Sequence, residues 1–308
     1  MKRGSDRLKK PLHERRFAME GLLLLGTFFW GMGYIWSKDI AATGVDYHVF
    51  VAFRYGIATL LLLPFCLKDI RAMNRQDLIH CLILGLLYYF SQITQVWGLK
   101  YTTPANASFI TSAYVILVPF VSAFLMKTKP EKKLFVSIAI CVAGLYALNF
   151  SPGEGLQINT GNAITLLCAL TWSIQVPYLS YAAQTTKTTV LTAVPLLFAS
   201  LLASGVGLCT GGFRMDGVDQ RTFFTVVALM AIFPTIGSCL AQTYAQRFID
   251  PTRAAIIYTL ESVFACAGSV LLGYERLTWQ LLLGGGLIIF AVLLTELPGK
   301  THPKEDRA

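Results

Sequence analysis

Charge is what this sequence has least of. Asp, Glu, Lys and Arg make up 14% of its 308 residues, where a soluble domain carries about a quarter. So few charges cannot cover a water-facing surface, and an ordinary soluble fold is excluded. Long polar stretches are missing too: the connections between apolar blocks are short, so no soluble domain is inserted. The seven cysteines (Cys66, Cys81, Cys141, Cys168, Cys209, Cys239 and Cys266) all fall in apolar stretches, and none forms a CxxC pair. That argues against a disulfide framework and leaves them as small buried hydrophobes. The four histidines, His13, His48, His80 and His302, have no metal-ligand spacing. Neither a GxxxxGK(S/T) phosphate loop nor an HExxH pair occurs, which speaks against an ATP-driven pump and a membrane metalloprotease. The lysines lie at span ends or in loops, unlike a retinal-binding lysine, and no base stands beside the serines to make an intramembrane hydrolase. No enzyme activity, cofactor or metal is expected.

What is present is oil. Hydrophobic residues make up 55% of the chain and the mean hydropathy is +0.57. They come in ten blocks, near 18–38, 47–66, 78–99, 104–126, 133–150, 160–183, 189–209, 222–246, 252–273 and 278–297. About 20 residues is the length an α-helix needs to cross a hydrocarbon core of about 30 Å. Continuous rather than alternating apolarity selects helices over a closed barrel. The expectation is an all-α integral membrane protein with ten transmembrane helices in a lipid bilayer. The first 17 residues hold seven Lys or Arg and resemble a signal-peptide start. The block that follows is too long and lacks a small-residue cleavage site, so it is read as a retained span.

Basic residues set the expected orientation. With the N-terminus cytoplasmic, twenty of the 26 Lys and Arg fall on the cytoplasmic side. Five fall opposite (Lys38, Lys100, Arg214, Arg221 and Arg276), and Arg54 lies within a span. This is a strong positive-inside bias, and an even number of spans returns the C-terminus to the cytoplasm. The net charge of +9 is therefore a topology signal and not a nucleic-acid patch. The location expected is the cytoplasmic (inner) membrane of a bacterium.

The chain also repeats. A shift of 147 residues lays Pro104-Ala-Asn-Ala-Ser-Phe-Ile on Pro251-Thr-Arg-Ala-Ala-Ile-Ile, and a shift of 142 lays Trp30 on Trp172. Each proline opens a span after a short polar turn, where a missing N–H costs little. Two halves of five spans follow: 18–150 and 160–297, joined by an external linker at 151–159 and flanked by tails at 1–17 and 298–308. Five is odd, so the second half enters the membrane inverted. Inverted repeats mark many secondary transporters, with the site near the midplane between the halves.

Two stretches carry a family resemblance: "SAYVILVPFVSAFLMKTKP" closing span four and "LESVFACAGSVLLGYERLT" closing span nine. With the two five-span halves, the chain resembles the EamA-type carriers of the drug/metabolite transporter superfamily over nearly its whole length. Members commonly show Leu-Glu-Pro where this chain has Leu260-Glu261-Ser262, and adjacent Gly-Glu where it has Gly273-Tyr274-Glu275. The resemblance implies transport of small metabolites without ATP, often export of amino acids or toxic analogues. Direction rests on the resemblance alone.

Depth along each span, at 1.5 Å per residue, gathers the mid-span polar and aromatic residues. They are Trp30 and Tyr34, Tyr88 and Gln92, Tyr114, Trp172 and Gln175, Ser238 and Gln242, and Tyr258 and Glu261. Tyr88, Gln92 and Gln95 form one helical stripe; Thr235, Ser238, Gln242 and Gln246 form another. Spans two, five, seven and ten are poorer in uncharged polar side chains and read as outer scaffold. Trp36, Trp97 and Trp279 sit near span ends as interfacial belt residues. Against the cavity reading, single aromatics often only pack, and glutamines and hydroxyls often only bond helix to helix. Pro119, Pro177 and Pro234 lie inside spans, each removing a backbone hydrogen bond, as hinges or as tolerated kinks.

Glu261 is the best single candidate, with no other ionisable charge within seven residues on either side. A carboxylate at the bilayer centre is costly and persists if protonated, paired or facing water. Exchanging its proton, it would couple transport to the proton gradient; facing water, it would bind a cationic group beside the rings. The alternative is a static pair with Arg54, whose depth differs by only about 6 Å. No Lys or Arg is counted near the midplane, which argues against phosphate esters. The function expected is a secondary active transporter for a small amino acid or an amphipathic, heteroaromatic or cationic compound, as monomer or homodimer. An importer of a vitamin or nucleotide-like metabolite and a channel are the alternatives.

Overall fold

The computed structural model of the chain describes residues 12–127, 131–149, 160–213, 215, 218–273 and 276–296. The basic tail up to residue 11, the linker at 151–159, the tail at 298–308, Arg214, Tyr274 and Glu275 lie outside the described residues. The helices, in chain order, are α1 (Leu12–Ala42), α2 (Tyr47–Arg71), α3 (Arg75–Leu99), α4 (Pro104–Ser112), α5 (Tyr114–Met126) and α6 (Lys132–Asn149). They continue with α7 (Thr160–Ala182), α8 (Thr188–Cys209), α9 (Gln220–Met230), a π-helical segment (Ala231–Gly237), α10 (Ser238–Ala245), α11 (Pro251–Tyr258), α12 (Leu260–Leu271) and α13 (Trp279–Glu296). No strand occurs among the described residues. Counting a broken helix as one, eight helices among the described residues are long and apolar enough to cross a membrane, and α13 is a shorter apolar helix. The outer surface is apolar, with Phe65, Phe124 and Leu271 more than 80% exposed.

Three of the apolar blocks are not single regular helices. Block 104–126 breaks at Ala113 and block 252–273 at Thr259, 146 residues apart. The two breaks share one construction. Ala113 N–H donates to Ile110 and Ile116 N–H to Ala113; Thr259 N–H donates to Ile256 and Ser262 N–H to Thr259. Each is a single tight turn of i to i−3 bonds set into an α-helix. Both broken helices also start alike. Thr103 and Asp250 cap them through their side chains, and Pro104 and Pro251 fill the first turn. The break at Thr259 needs no proline, because the Thr259 hydroxyl joins its N–H on the Ile256 carbonyl at 2.6 Å. Block 222–246 carries the seven-residue π segment around Pro234. Pro119 and Pro177, in contrast, sit inside helices that run on through them.

The helices pack in pairs that exchange when the halves are exchanged. α2 lies on α8 and α6 on α13, each pairing equivalent helices. α3 on α7 corresponds to α10 on α1, and α4 and α5 on α7 correspond to α11 and α12 on α1. The exchanging contacts leave α1, α3, α7 and the broken helices around the centre. Close approach at that centre depends on glycine. A Cβ at Gly31 would lie 2.8 Å from the Glu261 carbonyl and 2.6 Å from Phe264 Cβ, so α1 touches α12 at its first turn only because residue 31 has no side chain. Six of the cysteines are buried, but Cys209, the last residue of α8, is exposed. It ends a helix at the surface, where the sequence reading had it buried.

Candidate functional site

A small cavity of ≈ 30 Å³ lies at the centre, between the halves. Trp30, Gly33, Tyr34 and Ser37 of α1 line it, at i, i+3, i+4 and i+7 on one helix face. Arg54 (α2), Gln92 and Gln95 (α3), Trp172 (α7), Met230 and Pro234 beside the π turn, and Glu261 (α12) complete the wall. A space of this size holds a few water molecules at most, so the central site has no room for a metabolite as it stands.

Two ionisable side chains of opposite type, one acidic and one basic, line this space. Glu261 stands in the first turn of α12 and is 6% exposed. One carboxylate oxygen accepts from the Ser112 hydroxyl at 3.2 Å, and Ser112 also shares a hydrogen bond of 2.9 Å with Ser262. Ser112 ends α4, so the two helix breaks meet at the carboxylate. Ser262 thus supplies a hydroxyl beside the carboxylate. The start of a half-helix is also the end that favours negative charge. Arg54 is 4% exposed; its Nε donates to the Thr235 hydroxyl at 2.8 Å and its Nη1 to the Gln92 amide oxygen at 2.6 Å. Gln92 in turn donates to Gln95 at 3.1 Å. The guanidinium also lies 5.6 Å from the Tyr55 ring centre. Arg54 and Glu261 form no ion pair within 4.0 Å, although both line the cavity. A cation therefore does stand at the central site, which corrects the expectation that none lies near the midplane. Along α2, Arg54 turns inward to hydrogen-bonding partners on α3 and the π turn, a direction that depth alone does not reveal.

The other sequence-selected residues divide into two groups around the cavity. Aromatic rings form one: Trp30 meets Trp172 at 5.4 Å and Tyr258 at 5.2 Å, and Tyr114 stacks on Trp172 at 6.1 Å. Trp30 Nε1 also donates to the Pro234 carbonyl at 2.9 Å, tying α1 to the π turn. Amides form the other: Tyr88 donates to Gln242 at 3.4 Å and Gln242 to Gln175 at 3.4 Å. Ser238 donates to the Gly26 carbonyl and so joins α10 to α1. Thus Trp30, Tyr34, Gln92, Trp172, Glu261 and Arg54 share the cavity wall, while Tyr88, Tyr114, Gln175, Ser238, Gln242 and Tyr258 are not part of it. Ser37, Ser112, Thr235 and Met230 were not singled out as site residues. Ser37 was legible as the next turn of the Trp30 and Tyr34 face; Ser112 had no local signal, because its partner is 149 residues away.

The two ends of the bundle differ. At one, a vestibule of ≈ 310 Å³ is lined by Met126, Glu131, Leu134, Gln184, Gln246, Arg247 and Arg253, among others. Gln246 stands one helical turn beyond Gln242, so amides lead from the vestibule toward the centre. Hydrogen bonds cross the opposite end. Lys38 Nζ donates to the carbonyls of Leu99 and Thr102 at 2.7 and 2.8 Å. Thr102 reaches across the halves to Asn162 at 3.0 Å. Nearby, Gly98 and Gly161 bring the end of α3 and the start of α7 into backbone contact.

Comparison with known proteins follows this architecture. The model of the EamA-like transporter family matches twice, at residues 18–150 and 159–297. An uncharacterized transporter of Archaeoglobus fulgidus is 28% identical over 285 residues, covering 92% of this chain and 87% of that protein. The uncharacterized inner membrane transporter YedA of Escherichia coli (strain K12) is 27% identical over 251 residues, 79% of each chain. A solved crystal structure superposes with a TM-score of 0.75 at 16% identity, covering 91% of this chain and 96% of that one; the fold is shared.

Proposed function

Because the chain belongs to the EamA-like transporter family, we propose that it is a secondary active transporter. It moves a small metabolite across the bacterial cytoplasmic membrane by alternating access. The observation that carries this reading is the small polar cavity between the two halves, with hydrogen bonds crossing one end of the bundle and a vestibule at the other. Five spans per half invert the second copy, and ten spans place both termini in the cytoplasm. The vestibule sits among the loops that carry the basic excess, so it faces the cytoplasm and the Lys38 end faces outward. Export is the direction proposed, with proton exchange at Glu261 as the coupling step. Paired metabolite profiling of medium and cell extract tests this. Cells producing the chain should release a compound that control cells retain. Accumulation inside would make the chain an importer, and a voltage-independent conductance in planar bilayers would make it a channel.

The outer closure gives a second expectation. Two hydrogen bonds from a charged donor are each worth about 1.5–3 kcal/mol, and about 1.4 kcal/mol is a tenfold shift in an equilibrium. Lys38→Met should therefore populate an outward-open form at least about tenfold more. The measurement is labelling of Ser37→Cys by a membrane-impermeant thiol reagent, in a Cys209→Ser background that removes the exposed native thiol. Unchanged labelling would show that Lys38 does not hold the outer end shut.

A further inference from the structure

We propose that Arg54 anchors the anionic group of the transported compound, so that the cargo is a small monocarboxylate. This rests on the carrier reading and narrows its substrate. A buried guanidinium is expensive unless an anion compensates it. Here its hydrogen-bond partners are neutral, the Thr235 hydroxyl and the Gln92 amide oxygen. Its Nη2 group makes no hydrogen bond to the described residues. Arg54 is a wall residue of the same cavity as Glu261, with no carboxylate of the described residues within 4.0 Å. The Nη edge is the planar fork that matches a carboxylate.

The surroundings limit the rest of the molecule. A single arginine compensates a single negative charge, and Glu261 lines the same small space. A phosphate dianion or a dicarboxylate would add negative charge there without a second cation. Across the cavity, Glu261 offers its carboxyl to a hydrogen-bond donor on the cargo. Trp30 and Trp172 offer ring faces to an apolar body, and the Trp172 N–H makes no hydrogen bond to the described residues. A compound with only a cationic head would meet Arg54 unfavourably. The cavity is smaller than any such molecule, so the halves must part to admit it.

The test is a thermal-shift panel on the purified full chain in detergent. Small monocarboxylates, amino acids included, are each compared with the corresponding methyl ester and decarboxylated amine. The expected result is stabilisation by at least one acid, with its ester and amine at least tenfold weaker. Arg54→Gln should abolish the shift. Arg54→Lys, which keeps the charge but loses the fork, should weaken it about tenfold while keeping the acid-over-ester preference. Equal binding of ester or amine, no stabilising acid in the panel, or unchanged binding by Arg54→Gln would each overturn the proposal. A purely structural arginine would lower the stability of the unliganded protein and leave the acid-to-ester ratio unmoved. If Arg54→Gln does not fold, the wild-type ratio decides. Counterflow of the bound compound in proteoliposomes separates the two levels. Exchange of an ester or amine removes this proposal and leaves the carrier; binding of an acid without exchange removes the carrier and leaves Arg54.

Discussion

Glu261→Gln should abolish concentrative transport while leaving the chain folded. Glutamine keeps the shape and can still take a hydrogen bond from Ser112 at the position of the carboxylate oxygen. What it loses is the ability to gain and release a proton. If that exchange drives the cycle, the variant retains passive exchange of the cargo but no longer responds to an imposed pH gradient. A fall of at least tenfold in gradient-driven flux, about 1.4 kcal/mol of lost coupling, is expected beside unchanged counterflow. Proteoliposomes made with each protein, with and without a pH step, measure both quantities in one preparation. If the variant responds to the gradient as the wild type does, Glu261 is not the coupling group. If counterflow disappears as well, Glu261 binds the cargo in addition to, or instead of, carrying a proton.

The helices were legible because membrane spans announce themselves by length and apolarity, which need no knowledge of tertiary contacts. Their interruptions were not. Neither Ala113 nor Thr259 is a glycine or proline, and of the three prolines that drew notice Pro119 and Pro177 interrupt nothing, while Pro234 sits in the π segment. A break made by backbone turns and one threonine hydroxyl leaves no compositional trace. The repeat offset was the available clue, since Pro104 and Pro251 open both broken helices. The site was legible in part, for a related reason. Depth along a span places Trp30, Tyr34, Gln92, Trp172 and Glu261 at one level, and a shared level brings them to one cavity. Depth says nothing about azimuth, however. Arg54 reads equally well as the partner of Glu261 or as a separate wall residue, and the choice depends on Thr235 and Gln92 lying within reach.

The symmetry of the scaffold and the asymmetry of the charges belong to different tasks. Equivalent pairings, α2 with α8 and α6 with α13, and equivalent breaks give the two halves similar ways to bend. Similar bending from either half is what alternating access requires. The ionisable groups do not follow the repeat. The residue 147 positions before Glu261 is Tyr114, an aromatic packed on Trp172. A charge placed on one half only has no mirror copy across the cavity; under the proposed carrier cycle it would be presented to either side without a second copy competing for the cargo.

Gly31→Val should be the most damaging single substitution in α1, although residue 31 is neither charged nor a cavity-wall residue. Even the first carbon of a side chain there would stand 2.6 Å from Phe264 Cβ, 2.8 Å from the Glu261 carbonyl and 3.0 Å from the Ala265 nitrogen. Two of those three atoms are backbone, so no rotamer change relieves the crowding; α1 and α12 must separate. Overpacking of this kind costs about 1–3 kcal/mol, and valine adds two methyl groups to the overlap. The separation would also carry Trp30 and Tyr34 away from Glu261, because both stand within one turn of residue 31. The expected outcome is a lower melting temperature together with loss of cargo binding, read by thermal shift in detergent and by counterflow. Gly21→Val is the matched control, since a Cβ there meets nothing within 4 Å. Equal behaviour of the two variants would mean that the contact of α1 with the start of α12 does not hold the site together. A deficit confined to Gly31→Val would place that contact, made through a missing side chain, among the elements that position Glu261.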